Sequence, residues 1–253
     1  MVLYIYDGTF TGFLTVVFSI YASKQLPSGI LANGEYQTTF FSKTVFVPSD
    51  EDRAERVERR IISKAGFSEF SRILSAFSCG FALETKDMII FSYIRLLLKE
   101  GSSACKMHNL KIVSEFDNLV LKTDFEIHRM EGFLRFRKLN SGILYAEYAP
   151  DNDITYYLTP YFAERNSENK FIIRDTARET YGLYNGTEWV VIRGKDDRID
   201  LFSEPIFEEC ELFFQDLWQQ YYDTVSIASR RNERQRDHFL PVRYRRYLTE
   251  TVI

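Results

Sequence analysis

The amino-acid sequence predicts an α+β fold, with N-terminal helices, a small antiparallel sheet built from hairpins and a long C-terminal helix. Through much of the first 130 residues, apolar side chains recur every three or four positions, which indicates amphipathic helices. The pattern then changes to short strands around the turn signals Asn140-Ser141-Gly142 and Asn185-Gly186. A helical period returns from Ile206 onward. Because helices and hairpins are segregated along the chain, α+β is favoured over an alternating parallel α/β sheet.

The N-terminal half is predicted to be mainly helical. A turn at Asp7-Gly8 ends the first strand, and a Ser49-Asp50 cap followed by acidic residues starts a helix that Gly66 can end. The predicted elements are, in order, the strand VLYIYD, the helix TFTGFLTVVFSIYAS, the loop LPSGILANGEY, the strand TTFFSKTVFV, and the helices PSDEDRAERVERRIISKAG, SEFSRILSAFSC, KDMIIFSYIRLLLKEG and residues 109–130.

The C-terminal half is predicted to contain two hairpins and a final helix. Its predicted strands are GFLRFRKL, GILYAEYA, KFIIRD, ETYGLYNG and EWVVIRG. Between them, PDNDITYYLTPYFAERN predicts a capped helix that can break at Pro160. One face of the final helix is marked by Ile206, Cys210, Phe213, Phe214, Leu217, Tyr221, Val225 and Ala228. We predict one domain over residues 1–253, and the alternative is a helical half, 1–127, with a sheet-bearing half, 128–253.

Composition narrows the class of protein. With 45% hydrophobic residues and a net charge of −4, the chain is expected to fold around a core, and only a local basic patch is compatible with nucleic-acid binding. Cys79, Cys105 and Cys210 lack metal-ligand spacing and are expected to be reduced thiols. The apolar stretch from Phe13 to Ala22 is too short to cross a bilayer, and the N-terminus lacks a signal-peptide pattern. We therefore expect a cytoplasmic protein with no membrane partner.

The segment HRMEGFLRFRK, residues 128–138, places arginines among apolar residues. If the strand starts at Phe133, Leu134 and Phe136 point into the core while Arg135 and Arg137 point outward. Two arginines about 7 Å apart on one strand face suit neighbouring phosphates or carboxylates. The alternative is a solvated sheet face with salt bridges to Glu147 or a similar residue.

Residues that could support catalysis are scattered. His128 lies near a predicted helix C-terminus, where it could be structural or act as a general acid or base, and Asp7 and Asp175 are candidate assisting carboxylates at element ends. Together, Asp7, Asp151, Asp153 and Asp175 could bind Mg²⁺ for phosphoryl chemistry, but their spacing is not diagnostic and no metal site is predicted. The sequence has no P-loop and no GxGxxG, so no cofactor is expected.

The strongest charge feature is residues 226–247, SIASRRNERQRDHFLPVRYRRY. Seven arginines stand against Glu233 and Asp237, so this segment carries +5 and the rest of the chain −9. Arginine with tyrosine suits phosphate contacts together with base stacking. A solvated helix end, or a clamp that pairs with acidic residues of the same chain or of a partner protein, is the competing interpretation. A membrane surface is the least favoured alternative, because no amphipathic anchor with large apolar residues accompanies the segment.

Six segments in order resemble a known family. They are YDGTFTGFLTVVFSIY, HRMEGFLRF, LYAEYAPDND, LTPYFAERN, FIIRDTAR and RRNERQRDHFLPVRYRRYLTE. Together they resemble the bacterial DNA metabolism protein family, a domain of unknown function, from Tyr4 to Glu250. The resemblance implies a gene beside a radical SAM protein of DNA modification or repair. Some family members are fused to a uracil-DNA-glycosylase-type domain, and this chain resembles the stand-alone form.

The resemblance also implies which residues correspond to family motifs. These residues are His128, Arg129, Arg135, Pro160, Phe162, Arg165, Arg231, Asn232, Pro241, Arg243 and Tyr244. Two positions depart from the family pattern, because Asn152 and Arg174 stand where relatives commonly have histidine. If those histidines are catalytic or metal-binding in relatives, this chain has lost them, which favours binding over metal-dependent hydrolysis.

Three hypotheses follow. The first is an accessory nucleic-acid-binding protein in DNA repair or modification, which acts on single-stranded or duplex DNA with a radical SAM partner. Its candidate contacts are Arg129, Arg135, Arg137, Arg165, Arg178, Arg231, Arg243, Tyr244 and Arg245. The second is an enzyme that processes DNA or a nucleotide with His128, Asp7 and Asp175. The third is a protein-interaction subunit that docks through its basic segment and tyrosine-rich surface without affinity for DNA.

Overall fold

The structure is a computed structural model, which describes residues 2–32, 43–194, 206–226 and 232–251. Helices and small sheets together confirm the predicted α+β class. The chain divides into two compact units, Met1–Asp124 and Phe125–Ile253, called unit 1 and unit 2 below. The single-domain organisation stays a prediction.

Unit 1 combines a parallel sheet with helices. Its strands are β1 (Val2–Tyr6), β2 (Pro27–Ala32) and β3 (Lys43–Phe46), and its helices are α1 (Phe10–Ser23), α2 (Glu51–Ala65), α3 (Phe67–Ser78), α4 (Leu83–Glu100) and the first part of α5 (Lys111–Phe133). The sheet order is β2-β1-β3, and both pairs are parallel. β1 is central and buried throughout, which explains its continuous apolar sequence.

Local sequence signals account for the helix starts in unit 1. The Thr9 hydroxyl accepts a hydrogen bond from the Gly12 amide and caps α1, and the Asp50 carboxylate accepts from the Arg53 amide and caps α2. These caps confirm the predicted starts.

The loop predicted over LPSGILANGEY is wrong for Pro27–Ala32, which forms β2. This strand lies at the sheet edge, where a proline is tolerated because one side of the strand has no ladder to complete. Residues 33–36 of that segment, and residues 38–42 of the strand predicted over TTFFSKTVFV, lie outside the described residues.

The long amphipathic helix predicted over residues 109–130 is confirmed as α5, which continues to Phe133. Phe133 therefore ends a helix instead of starting a strand. The strand predicted from Phe133 onward is reduced to β4 (Arg137–Lys138), so Arg135 lies in the connection before it. The alternating pattern of FLRFR alone could not reveal that the preceding helix extends through Phe133.

Unit 2 is built around a five-stranded sheet of order β4-β5-β6-β7-β8. The further strands are β5 (Leu144–Tyr148), β6 (Phe171–Asp175), β7 (Thr180–Tyr184) and β8 (Trp189–Arg193), and α6 (Thr155–Arg165) connects β5 to β6. Both predicted hairpins are present, with positive φ at Gly142 and Gly186. The sheet is not wholly antiparallel, because β5 and β6 are parallel and α6 forms their crossover.

α6 runs through Pro160 without the break that was considered possible there. One face of the sheet packs beneath α6, where Leu158 and Phe162 are buried with Phe171 and Tyr244. The other face has a smaller cluster around Tyr145, Ile172 and Tyr181, partly covered by Phe207. Unit 2 thus places α6 and the C-terminal segment around one apolar core.

The C-terminal part of unit 2 is interrupted. α7 (Glu209–Val225) is followed by the short helices α8 (Glu233–Phe239) and α9 (Val242–Arg245) and a 3₁₀ turn, Thr249–Thr251. The long C-terminal helix is not confirmed beyond the 17 residues of α7, and Ala228 of its predicted face lies outside the described residues. Among the described helices, none combines the length and apolarity that a membrane span requires.

Candidate functional site

The centre of unit 2's polar network is Glu126, a buried carboxylate on α5. Its two oxygens accept hydrogen bonds from the Asp151 amide at 2.8 Å and from the Asn152 amide and side-chain nitrogen, each at 2.7 Å. A carboxylate with several charge-assisted hydrogen bonds is stable in a buried place. Glu126 therefore fixes the loop that joins β5 to α6.

The C-terminal segment is held on the same carboxylate. The Tyr244 hydroxyl donates to Glu126, and Arg243 donates to that hydroxyl at 2.9 Å while it pairs with the Asp151 carboxylate. Burial, together with the hydrogen bond to Glu126, raises the pKa of Tyr244 well above its ordinary value. Because the Tyr244 ring is only 2% exposed, it packs in the core and presents no face for a base to stack on.

Arg178 joins the same loop to the end of β6. Its guanidinium donates to the Pro150 and Asp151 carbonyl oxygens and to the Asp175 carboxylate, at 3.0 Å in the last case. Asp175 is fully buried, and its burial raises the carboxyl pKa, an effect that Arg178 and the Ala177 amide oppose. These contacts give both side chains a structural role in the loop.

Arg135 is also paired inside unit 2. It donates to both oxygens of the Glu250 carboxylate, at 2.6 and 3.3 Å, and lies over the ring of Trp218. Trp218 donates its ring N–H to the same carboxylate at 3.0 Å. The contact connects the segment before β4, helix α7 and the C-terminal 3₁₀ turn.

Arg137 lies on a sheet face that carries its own acidic partners. Its guanidinium is 3.9 Å from the Glu147 carboxylate and stacks over Phe207 at 4.1 Å. Arg174, which replaces a histidine expected from the resemblance, donates to Glu147 and Glu179 on this face. A salt bridge to Glu147 is the alternative interpretation of this strand from its sequence, and Arg137 forms that salt bridge.

A second group of arginines is exposed to solvent, apart from Arg129, which is half-buried. Arg129, Arg165 and Arg234 make no ion pair within the part of the chain that the structure describes, although Tyr161 accepts a hydrogen bond from Arg165. Three more arginines are exposed with local partners: Arg236 beside Asp237, Arg243 beside Asp151, and Arg246 stacked on Tyr247. Arg245 instead pairs with Asp237 and is largely covered, and Arg231 lies outside the described residues.

The three candidate catalytic residues occupy different environments. The His128 side chain is 87% exposed, and its Nδ1 is 3.4 Å from Glu131. Asp175 is buried behind Arg178, and the described contacts of unit 2 do not link it to His128. In unit 1, burial acts to raise the pKa of Asp7, but the hydrogen bonds that its carboxylate accepts from Ser49 and from the amide and hydroxyl of Thr9 together lower that pKa below its ordinary value.

Three of the four candidate Mg²⁺ carboxylates are paired with arginines, whereas Asp7 accepts hydrogen bonds from Thr9 and Ser49. Asp151 pairs with Arg243, Asp153 with Arg193 and Asp175 with Arg178. Across residues 2–32, 43–194, 206–226 and 232–251, no three His, Cys, Asp or Glu side chains are grouped to hold a metal ion. The polar network around Glu126 therefore holds the loop between β5 and α6 against the C-terminal segment. The exposed guanidinium groups outside this network can bind an external anion.

Glu126 is the central residue that the sequence analysis missed. Its position carried a signal, because it lies three residues after Thr123 and four before Met130, on the buried face of the helix. An acidic residue on such a face requires hydrogen-bond donors from elsewhere in the fold. The sequence does not show which segments provide those donors.

The comparison with known families places this network in a defined region. The DUF4130 sequence model, described as a domain of unknown function, matches residues 84–250. The chain belongs to the DUF4130 family. The DUF4130 region includes Glu126, Asp151, Asp175, Arg178, Tyr244 and Glu250, whereas Asp7 lies before it. No curated protein matches the chain.

Proposed function

We propose that this DUF4130 protein binds nucleic acid by phosphate contacts from the outward-facing arginines of residues 232–247. The observation that carries the proposal is the division of its arginines into two groups. In the first group, Arg135, Arg178 and Arg245 pair with carboxylates and donate hydrogen bonds to carbonyl oxygens of unit 2. In the second group, Arg234 and Arg236 on α8 are exposed to solvent. The inward group supports the fold, and the outward group is available to a polyanion.

Anchoring makes the outward arginines a usable surface. Tyr244 and Leu248 are buried, at 2% and 1% exposed, so the segment after α8 is attached to unit 2 through its core. Arg243 directly precedes Tyr244 in the sequence and Arg246 follows it by two residues, and both arginines are exposed. Cations on an anchored segment lose less side-chain and backbone freedom on binding than cations on a loose tail.

Charge distribution supports the same proposal. The chain carries −4 overall, yet residues 226–247 carry +5, so attraction to a polyanion is confined to this segment. Acidic surfaces elsewhere would orient the nucleic acid toward it. The proposed phosphate contacts within the segment are Arg234, Arg236, Arg243 and Arg246. Arg129, Arg165 and Arg231 are further proposed contacts. None of the buried tyrosines is proposed to stack on a base.

The family resemblance supplies the cellular context of the proposal. It supports an accessory role in DNA repair or modification, in the cytoplasm, beside a radical SAM protein. Single-stranded DNA is a suitable first ligand, because phosphate contacts do not require a groove of fixed shape.

The test compares matched double variants in fluorescence anisotropy with single-stranded and duplex DNA at several KCl concentrations. Arg234→Ala with Arg236→Ala removes two exposed charges from α8. Arg59→Ala with Arg60→Ala removes two exposed charges from α2 and is the control. Loss of two phosphate contacts is expected to reduce the log–log salt slope on single-stranded DNA by about 1.4, whereas the control keeps the wild-type slope. Binding that is absent, insensitive to salt or equally weakened by both pairs would contradict the proposal.

A further inference from the structure

Helix α7 packs on the rest of unit 2 through polar side chains. Glu211 is 9% exposed, and its carboxylate accepts a hydrogen bond from the Lys138 amide at 2.9 Å. One turn later Gln215 donates to Glu211, and one turn after that Gln219 donates to the Thr249 carbonyl oxygen at 3.0 Å. The spacing of four places all three on one face of the helix. A surface helix ordinarily packs through its apolar face, so this orientation is reversed.

The apolar face of α7 is turned outward instead. Its members share high exposure: Phe213 60%, Phe214 58%, Leu217 43%, Tyr221 58% and Val225 53%. They recur every three or four residues and form one continuous stripe. An exposed apolar stripe of this length is characteristic of a surface that binds another macromolecule.

An acidic row follows one edge of this stripe. Glu209, Asp216 and Asp223 are seven residues apart, and Glu209 and Asp216 lie one helical turn before and after Phe213. The sequence of α7 contains no lysine and no arginine. The net charge of the helix is therefore −4. Its acidic row lies beside the apolar stripe, at the positions where charged side chains of paired helices determine which partner binds.

We propose that the outward face of α7 is a docking surface for a basic amphipathic helix of another protein. Its apolar stripe would be covered by apolar residues of that helix, and its acidic row would be neutralised by lysine or arginine at the flanking positions. Nucleic acid is a poor occupant, because its phosphates would face the acidic row. A second α7 is also disfavoured, because two helices of the same negative charge would be brought side by side. This surface is distinct from the arginines of residues 232–247 and goes beyond the proposed nucleic-acid binding.

The first test uses two synthetic peptides of about 21 residues, both with leucine at positions a and d of each heptad. One peptide has lysine at e and g, and the other has glutamate there. Each is labelled with fluorescein and titrated with the full chain. The lysine peptide is expected to bind about tenfold more tightly than the glutamate peptide, a preference that falls when Glu209→Gln and Asp216→Asn are combined.

Substitutions on α7 locate the binding surface. Phe213→Ser with Leu217→Ser is expected to weaken binding of the lysine peptide by at least about tenfold. Leu212→Ser is the matched control, because Leu212 is 72% exposed and lies about 140° around the helix from Leu217. Circular dichroism would establish that each variant keeps its helices, which is expected because all the replaced side chains are exposed.

Three outcomes would overturn the proposal. The first is equal affinity for the lysine and glutamate peptides, which removes the charge argument. The second is binding unaffected by Phe213→Ser with Leu217→Ser, which places the contact elsewhere. The third is a concentration-dependent dimer in sedimentation that this double variant dissociates, which makes a second copy of the chain the occupant.

Discussion

The Tyr244 hydroxyl donates a hydrogen bond to the Glu126 carboxylate, although the two residues are 118 positions apart in the sequence. This contact connects α5 with the C-terminal segment, and the other hydrogen bonds of Glu126 hold the loop between β5 and α6. One buried carboxylate thus joins three separate parts of unit 2. The exposed arginines of the C-terminal segment depend on this attachment for their position.

Removal of the Glu126 carboxylate is expected to destabilise unit 2 strongly. Glu126→Ala leaves the Tyr244 hydroxyl and the donors of Asp151 and Asn152 without their acceptor, and a loss of about 3–5 kcal/mol in the free energy of unfolding is expected. Tyr244→Phe removes one donor and leaves the carboxylate with three others, so a loss of about 1–2 kcal/mol is expected. Urea denaturation measures both.

The difference between these two variants is the informative quantity. Equal losses would show that the hydrogen bond of Tyr244 accounts for the whole effect of Glu126. A loss below about 1 kcal/mol for Glu126→Ala would contradict the central role assigned to this carboxylate. Glu131→Ala is a suitable control, because Glu131 lies on the same helix and contacts only the exposed His128 among its described ion pairs.

Arg178→Met tests whether Asp175 is held by its arginine. The substitution keeps the apolar stem but leaves a fully buried carboxylate without its cation, so a loss of about 3 kcal/mol is expected. Asp175→Asn added to Arg178→Met is expected to recover part of that loss, because the uncompensated charge is removed. A double-mutant cycle from urea denaturation measures the coupling. Purely additive losses would show that the pair does not interact energetically.

Gly182 on β7 is expected to resist even a single added methyl group. A Cβ there would lie 2.1 Å from the Thr159 hydroxyl oxygen, and both Thr159 and Thr155 are fully buried residues of α6. Gly182→Ala is therefore expected to cost about 1–3 kcal/mol through overpacking between α6 and the sheet. The same change at Gly132, where a methyl group meets no atom within 4 Å, is expected to be neutral or slightly stabilising.

Thermal or urea denaturation of the two glycine variants gives the comparison directly. Thr159→Ala combined with Gly182→Ala removes the clashing oxygen and is expected to recover part of the loss. Similar stability for Gly182→Ala and Gly132→Ala would contradict the close approach of α6 to β7.

The sequence predicted elements better than it predicted their pairing. Periodicity was sufficient for α5, and turn residues were sufficient for the hairpins at Gly142 and Gly186, because both signals are local. The parallel β5–β6 pair and the strand Pro27–Ala32 depend on partners distant in sequence. A Pro-Ser-Gly segment has a loop composition and becomes a strand only because β1 provides a ladder beside it.

The same distinction applies to the candidate site. Sequence analysis selected arginines by their number and their spacing, and charge alone cannot show which of them meet a carboxylate in the folded chain. Arg135 and Arg234 carry the same guanidinium group, yet Arg135 pairs with Glu250, 115 positions later in the sequence, whereas Arg234 is exposed to solvent. The outward apolar face of α7 was likewise visible as a periodic stripe, but its orientation away from unit 2 depends on the polar contacts of Glu211 and Gln219.

The pair between Arg135 and Glu250 is expected to make the C-terminal attachment sensitive to acid. Burial of Glu250 raises its pKa, but the hydrogen bonds from Arg135 and Trp218 outweigh burial, and the pKa lies below its ordinary value of 4.5. Because the folded state favours the charged carboxylate, this stabilisation is fully present above pH 4.5 and is lost as the pH falls through the lowered folded-state pKa. Trp218 reports the change, because its ring N–H donates to the same carboxylate.

The measurement is an acid titration of tryptophan fluorescence in a Trp189→Phe background, which leaves Trp218 as the single tryptophan of the chain. A transition below pH 4.5 is expected, and Glu250→Gln is expected to abolish it, because the glutamine cannot be charged at any pH. Arg135→Met is expected to move the transition to higher pH, since the carboxylate then loses the cation that lowers its pKa. An unchanged transition in Glu250→Gln would assign the acid response to another carboxyl group of unit 2.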